Sequence, residues 1–120
     1  MLDQISWWVE LAVKPGQLGN LEILTGEMVD ATRRETGVLG YARFVSDDGI
    51  IVQVYERYVN SDAAVAHLKQ FATVFAQRFQ SLVERKRFTV LGKPSAELKQ
   101  LLDEFGATYL KPFGTFAYWA

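Results

Sequence analysis

Apolar residues recur along this chain first at strand spacing, then at helix spacing, then at strand spacing in two successive segments, then again as helix and strand. Few folds accept that order. Ile5, Trp7, Val9, Leu11 and Val13 share one face of the first segment, with Ser6, Trp8, Glu10 and Ala12 on the other. Lys14-Pro15-Gly16 closes it, because proline has no N–H to give to a ladder. From about Gln17 to Thr36, Leu21, Leu24, Met28 and Ala31 mark the apolar stripe of a helix that Gly37 stops. Leu39 to Val45 and Ile50 to Val59 read as strands joined at Asp47-Asp48-Gly49. Asn60-Ser61-Asp62 then caps a helical stretch to about Val83. Its inward stripe is Val65, Leu68, Ala72, Phe75, Phe79 and Leu82, and the pattern leaves open a break between Gln70 and Thr73. Arg87 to Leu91 is the fourth strand. Ser95 caps a short last helix bearing Leu98, Leu101, Leu102 and Phe105, and an aromatic tail from Tyr109 to Ala120 packs in irregular or extended form.

The order βαββαβ predicts an α+β, ferredoxin-like fold: an antiparallel four-stranded sheet with both main helices on one face, followed by the extra C-terminal helix and tail. The opposite face of that sheet is bare, although Trp8, Tyr55 and Val59 alternate onto it. An apolar face of this size needs a cover, so a homodimer with its sheets face to face is expected.

Composition narrows the function. Hydrophobic content of 49% against 22% charged residues is that of a globular protein, and 120 residues predict one domain, residues 1–120, with its core over 5–91 and the helix and tail over 95–120. The net charge is −1 and no basic run exceeds Arg85-Lys86-Arg87, which argues against nucleic acid as partner. There is no cysteine, so disulfides, thiolate chemistry and cysteine-ligated zinc are excluded, and one histidine cannot form a multi-histidine metal site within a chain. No metal and no cofactor are expected. The first residues lack the basic and apolar regions of a signal peptide, and no apolar run suggests a membrane span, so the expected location is cytoplasmic.

The run from Val54 to His67 concentrates the reactive side chains. His67, the lone histidine, is the natural group for proton chemistry near neutrality, as a general base or as a hydrogen-bond partner for a phenolic ligand. A satisfied histidine at a helix–sheet boundary would look the same in sequence. Glu56 sits among apolar strand neighbours and therefore needs a partner: either it orients His67, or it pairs with Arg43 or Arg57 across the hairpin. Trp7 and Trp8 are adjacent and point to opposite faces. Trp7, Tyr41, Tyr58, Phe71 and Phe75 could line a flat apolar pocket for a planar aromatic molecule, although each also has a packing explanation.

These residues carry a family likeness. Val13 to Gly16 (Val-Lys-Pro-Gly), Glu35 to Gly37 (Glu-Thr-Gly), Tyr41, and Glu56-x-Tyr58 leading through Ser61 to His67 together resemble the antibiotic biosynthesis monooxygenase (ABM) family over roughly Ile5 to Leu91. The resemblance implies a dimeric α/β barrel and a small cofactor-independent monooxygenase acting on a quinol-like or polycyclic aromatic, with His67 and Glu56 catalytic. Haem-degrading members place an Asn on the first strand, a Trp on the second helix and an axial His beyond it. Here those positions hold Trp8 or Val9, His67, and Phe75 to Gln77, so haem breakdown is not expected. Two other functions fit the same likeness: a non-catalytic dimeric barrel that binds a small hydrophobic ligand, and an enzyme that processes a small signalling metabolite.

Overall fold

A computed structural model describes residues 3–115. Among the described residues nine elements follow one another: β1 (Ile5–Val13), α1 (Leu18–Arg33), β2 (Val38–Val45), β3 (Ile51–Tyr58), α2 (Ser61–Val74), α3 (Ala76–Leu82), β4 (Val83–Leu91), α4 (Ala96–Asp103) and β5 (Thr108–Leu110). The strands form one sheet in the order β2-β3-β1-β4-β5. Its first four strands are antiparallel, as the periodicities predict, but β5 joins β4 in parallel, so the sheet is mixed and five-stranded. Parallel neighbours need a crossover connection, and α4 supplies it. The start of the expected irregular tail is thus an edge strand, and its last five residues, 116–120, lie outside the described part of the chain.

The helical stretch from Asn60 is capped as expected, its Asn60 side chain accepting from the Ala63 N–H at 2.9 Å. It turns at Phe75 (φ −119°, ψ −22°), just beyond the Gln70–Thr73 segment in which the sequence permits a break. Thr73 Oγ1 donates to the Lys69 carbonyl, a back-bond that bends helices. The turn buries Phe75 and Phe79 and leaves Ala72, expected inward, exposed.

β4 starts at Val83, four residues before the expected Arg87. The register explains why alternation hid it. Glu10 pairs with Arg87 but Leu11 pairs with Arg85, so Lys86 is an extra residue and the strand bulges there. Inward positions change parity across the bulge: Val83 and Arg85 before it, Phe88 and Val90 after it.

The core lies between the sheet and the helices, around Trp7, Leu11, Leu24, Met28, Tyr58 and Val90. Leu98 and Leu102 of α4 are fully buried, and α4 packs beside α2 on the helical side. Trp8 pairs with Tyr55 on the other side, ring centroids 5.0 Å apart, and stays 43% exposed. No element among the described residues covers that face. Nor is any described helix long and apolar enough to cross a membrane.

Candidate functional site

Rows of side chains cross the inner face of the sheet, and three of them frame the site. Tyr41, Glu56, Trp7 and Val90 face one another across β2, β3, β1 and β4, and the next row holds Arg43, Val54, Val9 and Phe88. Val45, Val52, Leu11 and Arg85 form the third. Position in this lattice accounts for the contacts of Glu56. Trp7, directly opposite, donates its Nε1–H to Oε1 at 3.0 Å. Tyr58, two residues on and so on the same face, donates its hydroxyl to Oε1 at 2.5 Å. Arg43, on the diagonal, donates from Nη2 to Oε2 at 2.9 Å.

His67 completes the cluster from above. The Asn60 cap starts α2 so that His67, about two turns in, faces the sheet, where it is buried. Its Nε2 lies 3.5 Å from Glu56 Oε1 and its Nδ1 lies 3.0 Å from Glu35 Oε1. Glu35 reaches it because the turn after α1 runs unusually close to α2. Gly37 (φ +87°) leaves no room for a side chain, since a Cβ there would stand 2.8 Å from the Ala63 Cβ. The imidazole is therefore held between two carboxylates. When Nδ1 donates to Glu35, Nε2 faces Glu56 and the cavity described below.

Electrostatics fix the protonation of the neighbours. Burial by itself would raise the Glu56 pKa, but the Arg43 guanidinium, the His67 imidazole when it is protonated, and the bonds from Tyr58 and Arg43 hold it below the usual carboxylate range. Burial pushes the Tyr41 hydroxyl up to about 12 against the opposing pull of Arg43, which lies 3.8 Å above its ring. Burial and the adjacent Glu56 carboxylate drive Tyr58 well above its ordinary value, so it remains a donor. Glu56 accepts from Trp7, Tyr58 and Arg43 and so ties three strands together beneath His67. Its ion pair with Arg43 is the alternative that sequence left open, and it coexists with the contact to His67.

A cavity of about 50 Å³ opens beside this cluster, lined by Trp7, Glu56, His67, Phe71, Arg43 and Arg85 together with apolar side chains of the helices and sheet. A buried water takes roughly 10–15 Å³ of such space, so the cavity admits a few waters or the edge of one ring before a wall moves. Of the residues singled out in the sequence, His67, Glu56, Trp7 and Phe71 meet here. Tyr41, Tyr58 and Phe75 do not line it: Tyr41 borders a separate surface hollow, Tyr58 is buried behind Glu56, and Phe75 is core. Glu35 and Arg85 received no role from sequence. Glu35 lies 32 residues from His67, a separation no periodicity marks. Among the described residues no group of three or more His, Cys, Asp or Glu side chains is placed to hold a metal ion.

The model of a family described as antibiotic biosynthesis monooxygenase matches residues 8–85. Curated proteins give no significant sequence match. Among solved structures, MupZ from Pseudomonas fluorescens superposes with a TM-score of 0.82 at 19% identity, covering 96% of this chain and 94% of its own. Protein SO0527 from Shewanella oneidensis aligns at 27% identity and TM-score 0.59, over 75% of this chain and 88% of its own. SnoaB, a cofactor-independent oxygenase from Streptomyces nogalater, aligns at 14% identity and TM-score 0.67, over 78% of this chain and 96% of its own. The overlap with MupZ reaches beyond residue 85 into α4, so the C-terminal helix is part of a shared fold.

Proposed function

The chain belongs to the antibiotic biosynthesis monooxygenase family, and from that premise we propose that it is a cofactor-independent oxygenase of a quinol-like or other enolisable aromatic. The observation that carries the reading is the imidazole of His67, buried between Glu35 and Glu56 and bordering a largely apolar cavity. That SnoaB, which shares the fold, is a cofactor-independent oxygenase supports it.

The chemistry asks little of the protein. His67 Nε2 takes a proton from the acidic C–H or O–H of the ligand, and Glu35 and Glu56 stabilise the imidazolium that results. The ligand anion gives one electron to O2, and the two radicals combine as a peroxide anion on carbon. Return of the proton gives a hydroperoxide, and loss of water leaves a carbonyl. In sum, a CH2 group and O2 become C=O and H2O, one oxygen atom entering the product. Trp7 and Phe71 supply flat apolar walls that exclude water from the anion. Seating a ring needs an outward swing of wall side chains, since the cavity is small.

The homodimer belongs to the same proposal. Trp8 and Tyr55 give the uncovered sheet face an apolar centre, and a second copy with its face opposed would close both into a barrel. A second reading, a non-catalytic binder of a small hydrophobic ligand, draws on the small cavity and on the structural partners that Glu56 already has. Oxygen uptake with a panel of anthrones and hydroquinones separates the two. The oxygenase consumes O2 with some member of the panel and His67→Ala abolishes it. No uptake by folded wild-type protein across the panel favours the binder.

A further inference from the structure

We infer that the ligand of this cavity carries a carboxylate, and that Arg85 is the seat for that anion, with Arg43 lining the same cavity. The charged groups lining the cavity do not balance: two guanidinium groups, Arg43 and Arg85, accompany one carboxylate, Glu56. Arg43 meets that carboxylate through Nη2 only, and its Nε and Nη1 are buried without a hydrogen-bond partner among the described residues. Buried guanidinium donors left unanswered are costly, and an anionic ligand group answers them.

Arg85 has no carboxylate partner among the described residues. Its guanidinium lies 4.6 Å from the ring centre of Phe105, which is itself stacked on Phe88. Its presence in the core layer is a consequence of the bulge at Lys86. Without the extra residue, the alternation set by Phe88 and Val90 would turn residue 85 to the outer face. Arg85 is half-buried in the core layer, and that partial desolvation lowers its pKa. Phe105, which holds the guanidinium, follows α4 and so lies outside the segment matched by the family model. The C-terminal helix therefore brings the wall against which a cation is aimed inward. The flanking Trp7, Phe71, Phe79 and Phe88 suit the flat apolar body of an aromatic acid.

This inference rests on the reading of the cavity as a ligand site, and its test does not depend on turnover. Benzoate and benzamide have nearly the same shape and differ in charge, and 1-naphthoate with 1-naphthamide repeats the comparison on a larger ring. Binding is followed by NMR through the Trp7 indole N–H. The wild-type protein should bind each acid at least roughly tenfold more tightly than its amide. Arg85→Gln should erase that preference by weakening acid binding more than amide binding, Arg85→Lys should restore part of it, and Lys93→Gln, in an exposed turn outside the cavity, should preserve it. Equal binding of acid and amide, a preference that survives Arg85→Gln, or no binding of either pair at millimolar concentration would each overturn the inference. Acid preference without oxygen uptake would remove the oxygenase and keep the carboxylate seat, and uptake without acid preference would do the reverse.

Discussion

The two faces of this sheet are made from alternate residues of the same strands, and they solve opposite problems. On the inner face a carboxylate and an imidazole are buried, and each has partners: Glu56 accepts from Trp7, Tyr58 and Arg43, and His67 lies between Glu35 and Glu56. On the outer face Trp8 and Tyr55 touch each other and remain partly open. Trp7 and Trp8 differ by one step along the chain, yet one is a hydrogen-bond donor in a polar cluster and the other belongs to an uncovered apolar patch. The inner face buries its carboxylate against partners supplied by the same chain. The outer face lacks a covering surface, which is a matter of assembly.

That contrast is best attacked where the expected effect is largest. His67→Ala should lower oxygen uptake by about 10²–10⁴-fold, the usual worth of a positioned acid–base group, without altering oligomeric state. Glu56→Leu should destabilise the fold by about 3–5 kcal/mol in urea unfolding, because it leaves the Arg43 charge and the Trp7 and Tyr58 donors buried without their acceptor. Glu35→Gln should reduce kcat by roughly tenfold with KM little changed, since it weakens stabilisation of the imidazolium but does not border the cavity.

Acid sensitivity separates the faces further. The folded Glu56 pKa lies below 4.5, the ordinary value to which it reverts on unfolding. Its ionised form thus stabilises the fold above that value, and the contribution is lost as pH falls through the lower folded pKa. Glu56→Gln should flatten this acid limb of the stability curve, measured by thermal melts between the two values. Substitution of Trp8 by Glu should leave the limb intact. Its effect should be a fall to monomer mass in light scattering at micromolar concentration.

Much of the fold is legible in the sequence because strand and helix periods are local. Ile5 to Val13 alternates without interruption, and β1 has those bounds. Arg85 shows where such reading stops. A bulge reverses parity within one strand, so Val83-Glu84-Arg85 does not continue the pattern of Phe88 and Val90, and the strand is seen only from Arg87. The parallel β5 is three residues long, too short for a period to show. In the site, His67 and Glu56 stand out because both are ionisable residues on apolar elements. Glu35 does not, for it lies in a polar turn and acquires its place only when Gly37 brings that turn against Ala63. Tyr58 is visible as an aromatic, but its use as a donor to Glu56 follows from strand geometry, not from residue type.

The most direct test of the central claim, that His67 accepts a proton from a molecule in the adjoining cavity, uses the fact that the chain holds a single histidine. Histidine labelled with nitrogen-15 gives one imidazole to observe, and an anthrone or hydroquinone is added without oxygen so that no turnover intervenes. Nδ1 should keep its proton and its bond to Glu35, while the Nε2 resonance should move on ligand addition toward the protonated form. An imidazole whose two nitrogens are unchanged at saturating ligand would contradict it.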